Sequence, residues 1–328
     1  MSTNNSKRYN RNTMDEKELN RKISDASIVL DIREKDIFAL LDNISKNKSI
    51  DSKLLLRKFG FPEIHFKRIL EFFREILMPP TSRVELKDNE NQIHQFVTES
   101  LTKIKNIDKK SIREVLENIQ KIRPIPDRQY DQFTATAITT SRRASEMAKN
   151  GDLYKRSVVF LGDDDLTSIA VGITKQAKRI TVFEIDTRIT SLIEKISSEY
   201  NLGIEVIKRD LRSAFPKDYL SQFDSVFTDP PYTPSGISLF LNRGIELLRK
   251  RYTSRLYLCY GNSDRARERE LEIQKIITDK ELLIHSKYFQ FNKYTGAESI
   301  GSSSSLYLLD WTPKTKLTEI YGKFYTNE

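Results

Sequence analysis

Acidic residues follow four of the predicted strands in the second half of the chain. The run Asp163–Asp165 comes after the strand SVVFLG, and Asp229 ends the strand DSVFTD. Glu184 with Asp186, and then Asp210, close two further strands. Because ligands bind at the carboxyl ends of parallel strands, we expect these carboxylates to line one pocket. Such a pocket repels phosphates and attracts ammonium groups, which argues against NAD as the ligand.

The first strand-to-helix loop, Gly162–Leu166, is unusual for a nucleotide site. Only Gly162 remains of the glycine-rich turn that a dinucleotide site would place there. One of the three acids can be explained as a helix cap, since a carboxylate at a helix N-terminus is stabilised by about 0.3–1 kcal/mol. Three consecutive carboxylates repel one another, a cost that capping alone does not require. The loop therefore indicates a cationic ligand.

The next two strand ends are typical of a nucleoside site. An acid at the second strand end commonly holds ribose hydroxyls, the role predicted for Glu184, with Asp186 beside it. Asp210 and Leu211 follow the third strand, where Asp210 could accept a hydrogen bond from an adenine amino group. After the fourth strand, the two prolines of the segment Asp229–Tyr232 form a rigid bend that is expected to direct both end residues toward the pocket.

The elements that position these residues alternate regularly from residue 157 onward. Continuous apolar strands followed by helices predict an α/β fold, a Rossmann-like, methyltransferase-type doubly wound sheet. The predicted strands span 157–162, 179–186, 204–210, 224–229 and 255–261, with two closing strands over 282–291 and 305–311.

The first part of the chain has a different pattern. Residues 1–14 are predicted to be a disordered tail, 15–120 a winged-helix-like N-terminal α domain, and 121–328 the catalytic domain. The winged-helix interpretation depends on three short helices from Asp31 onward and the strand-like RVEL. Lys67 and Arg68 on the third helix could contact nucleic acid. That helix is largely apolar, however, which favours a dimerisation or lid role.

Composition excludes several classes of protein. The 328 residues are enough for two domains. No run approaches the roughly 18 apolar residues that a membrane span requires, and the N-terminus has no apolar core, which argues against a secretory signal. A soluble cytoplasmic protein is therefore expected. One cysteine and three distant histidines exclude a disulfide framework and argue against a zinc site, so no metal is expected. Residues 1–150 hold 29 Lys and Arg against 22 Asp and Glu, and the rest hold 26 against 24. The excess positive charge therefore lies in the first half.

The segment from about 121 to 310 resembles the branched-chain polyamine synthases, the N(4)-bis(aminopropyl)spermidine synthases. GDDDL followed at this distance by DPP is the most specific part of the resemblance. The motifs that carry it are RPIPD (123–127), YDQ (130–132), GDDDLTSIA (162–170), FEID (183–186), RDL (209–211), TDPPYTPSGISLFLNRGI (228–245), YTGAES (294–299) and GSSSSLY (301–307).

The resemblance implies an aminopropyltransferase. Such an enzyme moves the aminopropyl group of decarboxylated S-adenosylmethionine, a co-substrate and not a bound cofactor, onto the central secondary amine of spermidine. The products are a branched polyamine and methylthioadenosine. The resemblance also explains the acidic loop, because this donor carries an ammonium and lacks the carboxylate of S-adenosylmethionine. A homodimer is the usual expectation for such enzymes.

Roles for individual residues follow from the resemblance. Residues expected to accept the proton and orient the amine are Asp164, Asp163 and Asp229. Residues expected to bind the nucleoside co-substrate are Gly162, Asp163, Glu184, Asp186, Asp210 and Leu211. Residues expected to contact the polyamine are Asp165, Asp229, Tyr232, Gln132 and Glu298, of which Glu298 would belong to a mobile lid.

One departure from the family keeps two alternatives open. The family usually has an acid after DPP, where this chain has Tyr232. DPPY is typical of enzymes that methylate amino groups of bases, so an S-adenosylmethionine-dependent N-methyltransferase acting on nucleic acid is the first alternative. A polyamine-sensing, DNA-binding regulator is the second. The acidic loop argues against the first, because the carboxylate of S-adenosylmethionine would be repelled.

Overall fold

The computed structural model describes residues 14–47, 49–79, 82–87, 90–261, 267–295 and 302–326. The predicted disordered tail and Glu298 lie outside these residues, apart from Met14. The chain divides into two compact units, Met1–Thr102 and Lys103–Glu328. Within the described ranges, no helix is both long and apolar enough to cross a membrane.

The first unit is mainly helical. Its elements are α1 (Glu16–Leu30), α2 (Glu34–Lys46), β1 (Ile50–Asp51), α3 (Ser52–Phe59), α4 (Glu63–Phe72) and β2 (Arg83–Val84), and α5 (Glu90–Lys105) contains the boundary between the units. β1 pairs antiparallel with β2. Asp51 caps α3 by accepting a hydrogen bond from the Leu54 amide, and Gly60, at a φ of 66°, ends that helix. The sequence predicted α2, α3 and α4 but not α1, which begins before Asp31.

The second unit contains alternating strands and helices. They are α6 (Lys109–Gln120), β3 (Thr134–Ala135), α7 (Ala137–Lys149), β4 (Ser157–Leu161), α8 (Thr167–Ile173), β5 (Arg179–Glu184), α9 (Thr187–Glu199), β6 (Ile204–Lys208), β7 (Ser225–Thr228), α10 (Pro234–Leu247), β8 (Arg255–Gly261), α11 (Arg267–Asp279), β9 (Leu283–Thr295) and β10 (Ser303–Asp310). The predicted strands and the helices between them are confirmed. Helices α6 and α7 were not predicted.

The strands form one sheet in the order β3-β9-β10-β8-β7-β4-β5-β6. Strands β8, β7, β4, β5 and β6 are parallel, as predicted, whereas β10 is antiparallel to β8 and β9. The chain runs from β4 outward to β5 and β6, then returns to the other side with β7 and β8. The ends of β4 and β7 are therefore the switch point, where such folds bind ligands. Leu161 pairs with Thr228 there, so the loops after both strands leave the sheet side by side.

The core of the second unit includes α6. Ile112, Leu116 and Ile119 of that helix are buried in the same apolar cluster as Met147 and Ile169. The compact unit consequently begins at Lys103, earlier than the boundary at residue 121 that the sequence suggested. The reason is that the Pro-rich segment after α6 is a connector within this unit, not between the two units.

Candidate active site

A pocket enclosing about 580 Å³ of space open to solvent lies at the carboxyl ends of β4, β5, β6 and β7. Seven residues singled out from the sequence line it: Gln132, Gly162, Asp164, Glu184, Asp210, Leu211 and Asp229. Its other walls include Tyr130, Phe183, Leu239, Phe240, Phe324 and Tyr325. The site combines an apolar wall with several converging carboxylates, which is the usual composition of a small-molecule site.

The three acids of the loop after β4 face different ways. Asp163 is buried and directed into the N-terminus of α8, where its Oδ1 accepts a hydrogen bond from the Thr167 amide at 2.8 Å and its Oδ2 one from the Ser168 amide at 3.1 Å. It does not line the pocket. The expected contact of Asp163 with a substrate ammonium therefore does not fit this geometry, and its place is that of a helix cap.

Asp165, expected to contact the polyamine, also lies behind the pocket. Its Oδ1 accepts a hydrogen bond from the Ala135 amide at 2.6 Å, and its Oδ2 one from Nη1 of Arg143 at 2.8 Å. Both partners are buried, so both oxygens of this carboxylate are used in hydrogen bonds within the protein. The sequence could not separate the three acids, because consecutive residues in a turn point in different directions.

Asp164 is the acid of this loop that faces the pocket. Nη2 of Arg123 donates to its Oδ2 at 3.0 Å, and only 4% of the Arg123 side chain is exposed. In the described part of the chain, no hydrogen bond reaches Oδ1 of Asp164. Burial raises the pKa of Asp164 well above its usual range, and the negative charge of Asp165 adds to the effect. A cation in the pocket would favour the ionised form.

Asp229 forms the second carboxylate of the pocket wall. Its Oδ2 accepts hydrogen bonds from Nη2 of Arg143 at 2.7 Å and from the Tyr294 hydroxyl at 2.5 Å. Its Oδ1 accepts one from the Tyr232 hydroxyl at 3.1 Å. Burial raises the pKa of Asp229 to about 6, although the Arg143 cation opposes that shift.

Tyr232 itself does not line the pocket, contrary to the expectation from the double proline. Its ring packs against Tyr260, with the ring centroids 5.1 Å apart, and lies close to Gly261. A Cβ on Gly261 would approach the Tyr232 ring to 3.2 Å, so the small residue at the end of β8 makes room for it. Its hydroxyl reaches the pocket wall through the hydrogen bond to Asp229.

Glu184 accepts three hydrogen bonds from backbone amides. Its Oε2 accepts from the Asp163 amide at 2.8 Å, and its Oε1 accepts from the Ile185 and Asp186 amides at 2.7 and 2.8 Å. Gly162, at a φ of 66°, brings the backbone close to it: a Cβ there would lie 4.0 Å from Oε2. Burial raises the pKa of Glu184 despite the three amide donors.

The acids farther from the switch point are each paired with an arginine two residues later. Asp186 lies in a cleft beside the pocket, where it accepts hydrogen bonds from Arg188 and from the Gln132 amide group at 3.0 Å. Asp210 accepts two hydrogen bonds from Nε and Nη2 of Arg212 at 2.9 and 2.7 Å. The hydrogen bond from Arg212 lowers the pKa of Asp210. Burial alone would raise the pKa of Asp186, but the bonds from Arg188 and Gln132 lower it.

Sequence reasoning missed several residues of the site. Arg123 was quoted only as part of a motif, and Arg143 and Tyr294 were not assigned a role. Phe324 and Tyr325 come from the last residues of the chain, and Thr326 holds this segment by donating hydrogen bonds to Asp131. The available signals were the motifs RPIPD and YTGAES, which contain Arg123 and Tyr294, because contacts made across the fold leave no local pattern.

Comparisons with known proteins identify the family of the C-terminal part of the chain. A family model for the branched-chain polyamine synthase A C-terminal domain matches residues 111–326. An uncharacterized protein of Methanocaldococcus jannaschii is 43% identical over 184 residues, which are 56% of this chain and 46% of that protein. The N(4)-bis(aminopropyl)spermidine synthase of the same organism is 35% identical over 190 residues, 56% of this chain and 54% of the synthase. The chain thus spans about half the length of these curated relatives.

A solved structure matches most of this chain. The branched-chain polyamine synthase of Thermus thermophilus, in complex with N4-aminopropylspermidine and 5'-methylthioadenosine, matches 95% of this chain and 98% of its own at a TM-score of 0.61 and 19% identity. At that identity the match establishes the architecture and no more. Because the family model covers well over half of the sequence, including every acid of the pocket, the chain belongs to the branched-chain polyamine synthase A family through its C-terminal domain.

Proposed function

We propose that the protein transfers the aminopropyl group of decarboxylated S-adenosylmethionine to the central secondary amine of spermidine. The products are a branched polyamine and methylthioadenosine. Family membership supports this, as does the name of one of the Methanocaldococcus relatives, N(4)-bis(aminopropyl)spermidine synthase. The related Thermus structure holds an aminopropylated spermidine and methylthioadenosine, the two products that the proposal requires.

One observation carries the proposal: two partly buried carboxylates, Asp164 and Asp229, face the same pocket. Burial raises the pKa of each, to about 6 for Asp229. A polycation brings the charges that stabilise the ionised forms, and the resulting charge-assisted hydrogen bonds are strong. The part of the pocket formed by Asp164 and Asp229 is therefore suited to ammonium groups.

The remaining walls suit the nucleoside part of the donor. Glu184, held by three amides, can accept hydrogen bonds from ribose hydroxyls. Phe183, Leu239 and Phe240 supply flat apolar surface for the adenine. Asp210, at the far side, is placed to accept from the adenine amino group.

The reaction assigns different roles to the two carboxylates. The spermidine nitrogen attacks the aminopropyl carbon bonded to sulfur, the C–S bond breaks, and methylthioadenosine leaves with the electron pair. The attacking nitrogen must give up a proton. Asp164 is the better acceptor, because Arg123 occupies only its Oδ2, whereas both oxygens of Asp229 already accept hydrogen bonds. Asp229 then anchors an ammonium and aligns the amine.

The direct test incubates the purified protein with spermidine and, in parallel, decarboxylated or ordinary S-adenosylmethionine. Chromatography should show methylthioadenosine and a branched tetraamine or pentaamine with the decarboxylated donor only. The Asp164→Asn variant should lose both products, and Asp218→Asn, an exposed acid away from the pocket, should retain them. Turnover with ordinary S-adenosylmethionine alone would overturn the proposal.

One observation favours the methyltransferase alternative. The buried guanidinium of Arg123 lies beside the pocket and could pair with the carboxylate of S-adenosylmethionine. The position of Tyr232 weighs against it, since this side chain packs against Tyr260 and is not among the residues that line the pocket. The arm with ordinary S-adenosylmethionine and a nucleic-acid acceptor separates the two candidates.

We also propose that the first unit is a winged helix-turn-helix module. The order α2, β1, α3, α4 and β2, with β1 and β2 paired and Leu77 bridged to Leu86, supports this. Residues 1–102 carry 18 Lys and Arg against 16 Asp and Glu, so the positive excess of the first half lies mostly after this unit. That balance favours a role in protein contacts over one in binding nucleic acid.

A further inference from the structure

Arg143, in the middle of α7, is completely buried, and each of its five N–H donors has a partner. Nε donates to Oδ1 of Asn292 at 2.8 Å. Nη1 donates to Asp165 at 2.8 Å and to the Thr167 hydroxyl at 3.3 Å. Nη2 donates to Asp229 at 2.7 Å and to the Tyr294 hydroxyl at 3.1 Å. A fully buried guanidinium with every donor used is held in one orientation.

The partners of Arg143 belong to separate parts of the fold. Asp165 and Thr167 follow β4, Asp229 follows β7, and Asn292 and Tyr294 are on β9. One side chain therefore joins the two loops of the switch point to a strand on the far side of the sheet. A lysine, with three donors around one nitrogen, cannot reproduce this planar, five-point arrangement.

We propose that Arg143 is the positioning residue of this site. It fixes the orientation of Asp229. Its positive charge also offsets one of the two negative charges of Asp229 and Asp165, so that one negative charge remains for the substrate. The inference rests on the proposed function, in which Asp229 anchors an ammonium of the polyamine. Arg143 does not line the pocket, so it acts only through Asp229.

Titratable and charged groups from several elements surround Asp229. They are Arg143, Asp165, Asp164, Tyr232, Cys259 and Tyr294. Burial raises the pKa of Asp229, Arg143 lowers it, and Asp165 raises it. Removing Arg143 and neutralising Asp165 must therefore move this pKa in opposite directions. A residue that merely stabilised the fold would not produce such a pair of opposite shifts.

The experiment measures kcat/KM for spermidine against pH, with decarboxylated S-adenosylmethionine saturating, in wild type and four variants. Arg143→Met should move the acid limb of the profile up by about one pH unit, and Asp165→Asn should move it down by a similar amount. Arg143→Lys keeps the charge but loses the fixed geometry, so it should lower kcat about 100-fold and leave the acid limb in place. Arg142→Lys is the matched control, because Arg142 is the exposed neighbour on α7 and donates to the Phe291 carbonyl of β9.

Failure of this inference and failure of the proposed function would give different results. If Arg143→Met does not fold, Arg143→Lys and Asp165→Asn still decide the matter. Activity of Arg143→Lys equal to that of Arg142→Lys, or an acid limb that Asp165→Asn leaves in place, would overturn the inference. A wild-type protein without aminopropyl transfer would instead contradict the proposed function. In that case, titration of the Asp229 carboxyl by 13C NMR in wild type and Asp165→Asn tests the Arg143 arrangement without turnover, and equal pKa values would refute it.

Discussion

The aspartates at the carboxyl ends of the strands form two pairs, and the pKa is raised in one pair and lowered in the other. Beside the switch point, Asp164 and Asp229 are partly buried, and the loss of solvation raises the pKa of both. After β5 and β6, Asp186 and Asp210 each accept hydrogen bonds from an arginine two residues later and have a lowered pKa. Asp164 and Asp229 pair with Arg123 and Arg143, which come from distant parts of the chain. The arginines of the second pair are close in sequence.

The difference indicates that the two pairs of aspartates contact different parts of the substrates. A carboxylate that is already neutralised by an exposed local arginine gains little from a cationic ligand, so Asp186 and Asp210 contribute mainly shape and hydrogen bonding. A buried carboxylate with a raised pKa gains far more when an ammonium arrives, since the ligand replaces the lost solvation. Chemistry on a polyamine is therefore expected at the β4 and β7 ends, and recognition of the nucleoside at the β5 and β6 ends.

The largest effect is expected at Asp164. Replacing it with Asn removes the proton acceptor and should lower kcat/KM about 1,000-fold, within the range for loss of a positioned general base. The matching variant at the end of β6, Asp210→Asn, should lower kcat/KM by less than about tenfold, because that side chain is partly exposed and paired with Arg212. Equal losses in steady-state assays would abolish the distinction between the two pairs.

A smaller effect, of a different kind, is expected at Glu184. The Glu184→Gln variant keeps one acceptor oxygen but places an NH2 group against backbone amides, so the KM for the donor should rise about 10- to 100-fold. The value of kcat should change much less, since this residue does not touch the reacting atoms. A fall in kcat with unchanged KM would mean that Glu184 belongs to the chemical half of the site.

Much of this arrangement could be predicted from the sequence, and the rest could not, for physical reasons. The strands and the acids after them follow from local patterns, so the edge of the sheet and seven of the residues that line the pocket could be singled out from the sequence. The separate roles of Asp163, Asp164 and Asp165 depend on backbone directions within one turn. The roles of Arg143 and Tyr294 depend on contacts across about 150 residues of chain, which no local pattern encodes.

The smallest effect is expected at Asp163. Since its carboxylate accepts hydrogen bonds from the first amides of α8, Asp163→Ala should lower the free energy of unfolding by about 1 kcal/mol, the usual cost of losing a helix cap. Denaturant titration of this variant and of the surface control Asp218→Ala measures the difference. Folded Asp163→Ala protein should retain most of its turnover, whereas a loss as large as that of Asp164→Asn would place Asp163 in the chemistry.

Proton release on spermidine binding tests the central claim most directly. Calorimetry at pH 6, with methylthioadenosine present and in two buffers of different ionisation enthalpy, gives the number of protons exchanged. Because bound ammonium groups lower the raised pKa of Asp229 and Asp164, binding should release protons to the buffer, and the Asp229→Asn variant should release fewer. Binding without proton release, or with equal release in wild type and Asp229→Asn, would contradict the account.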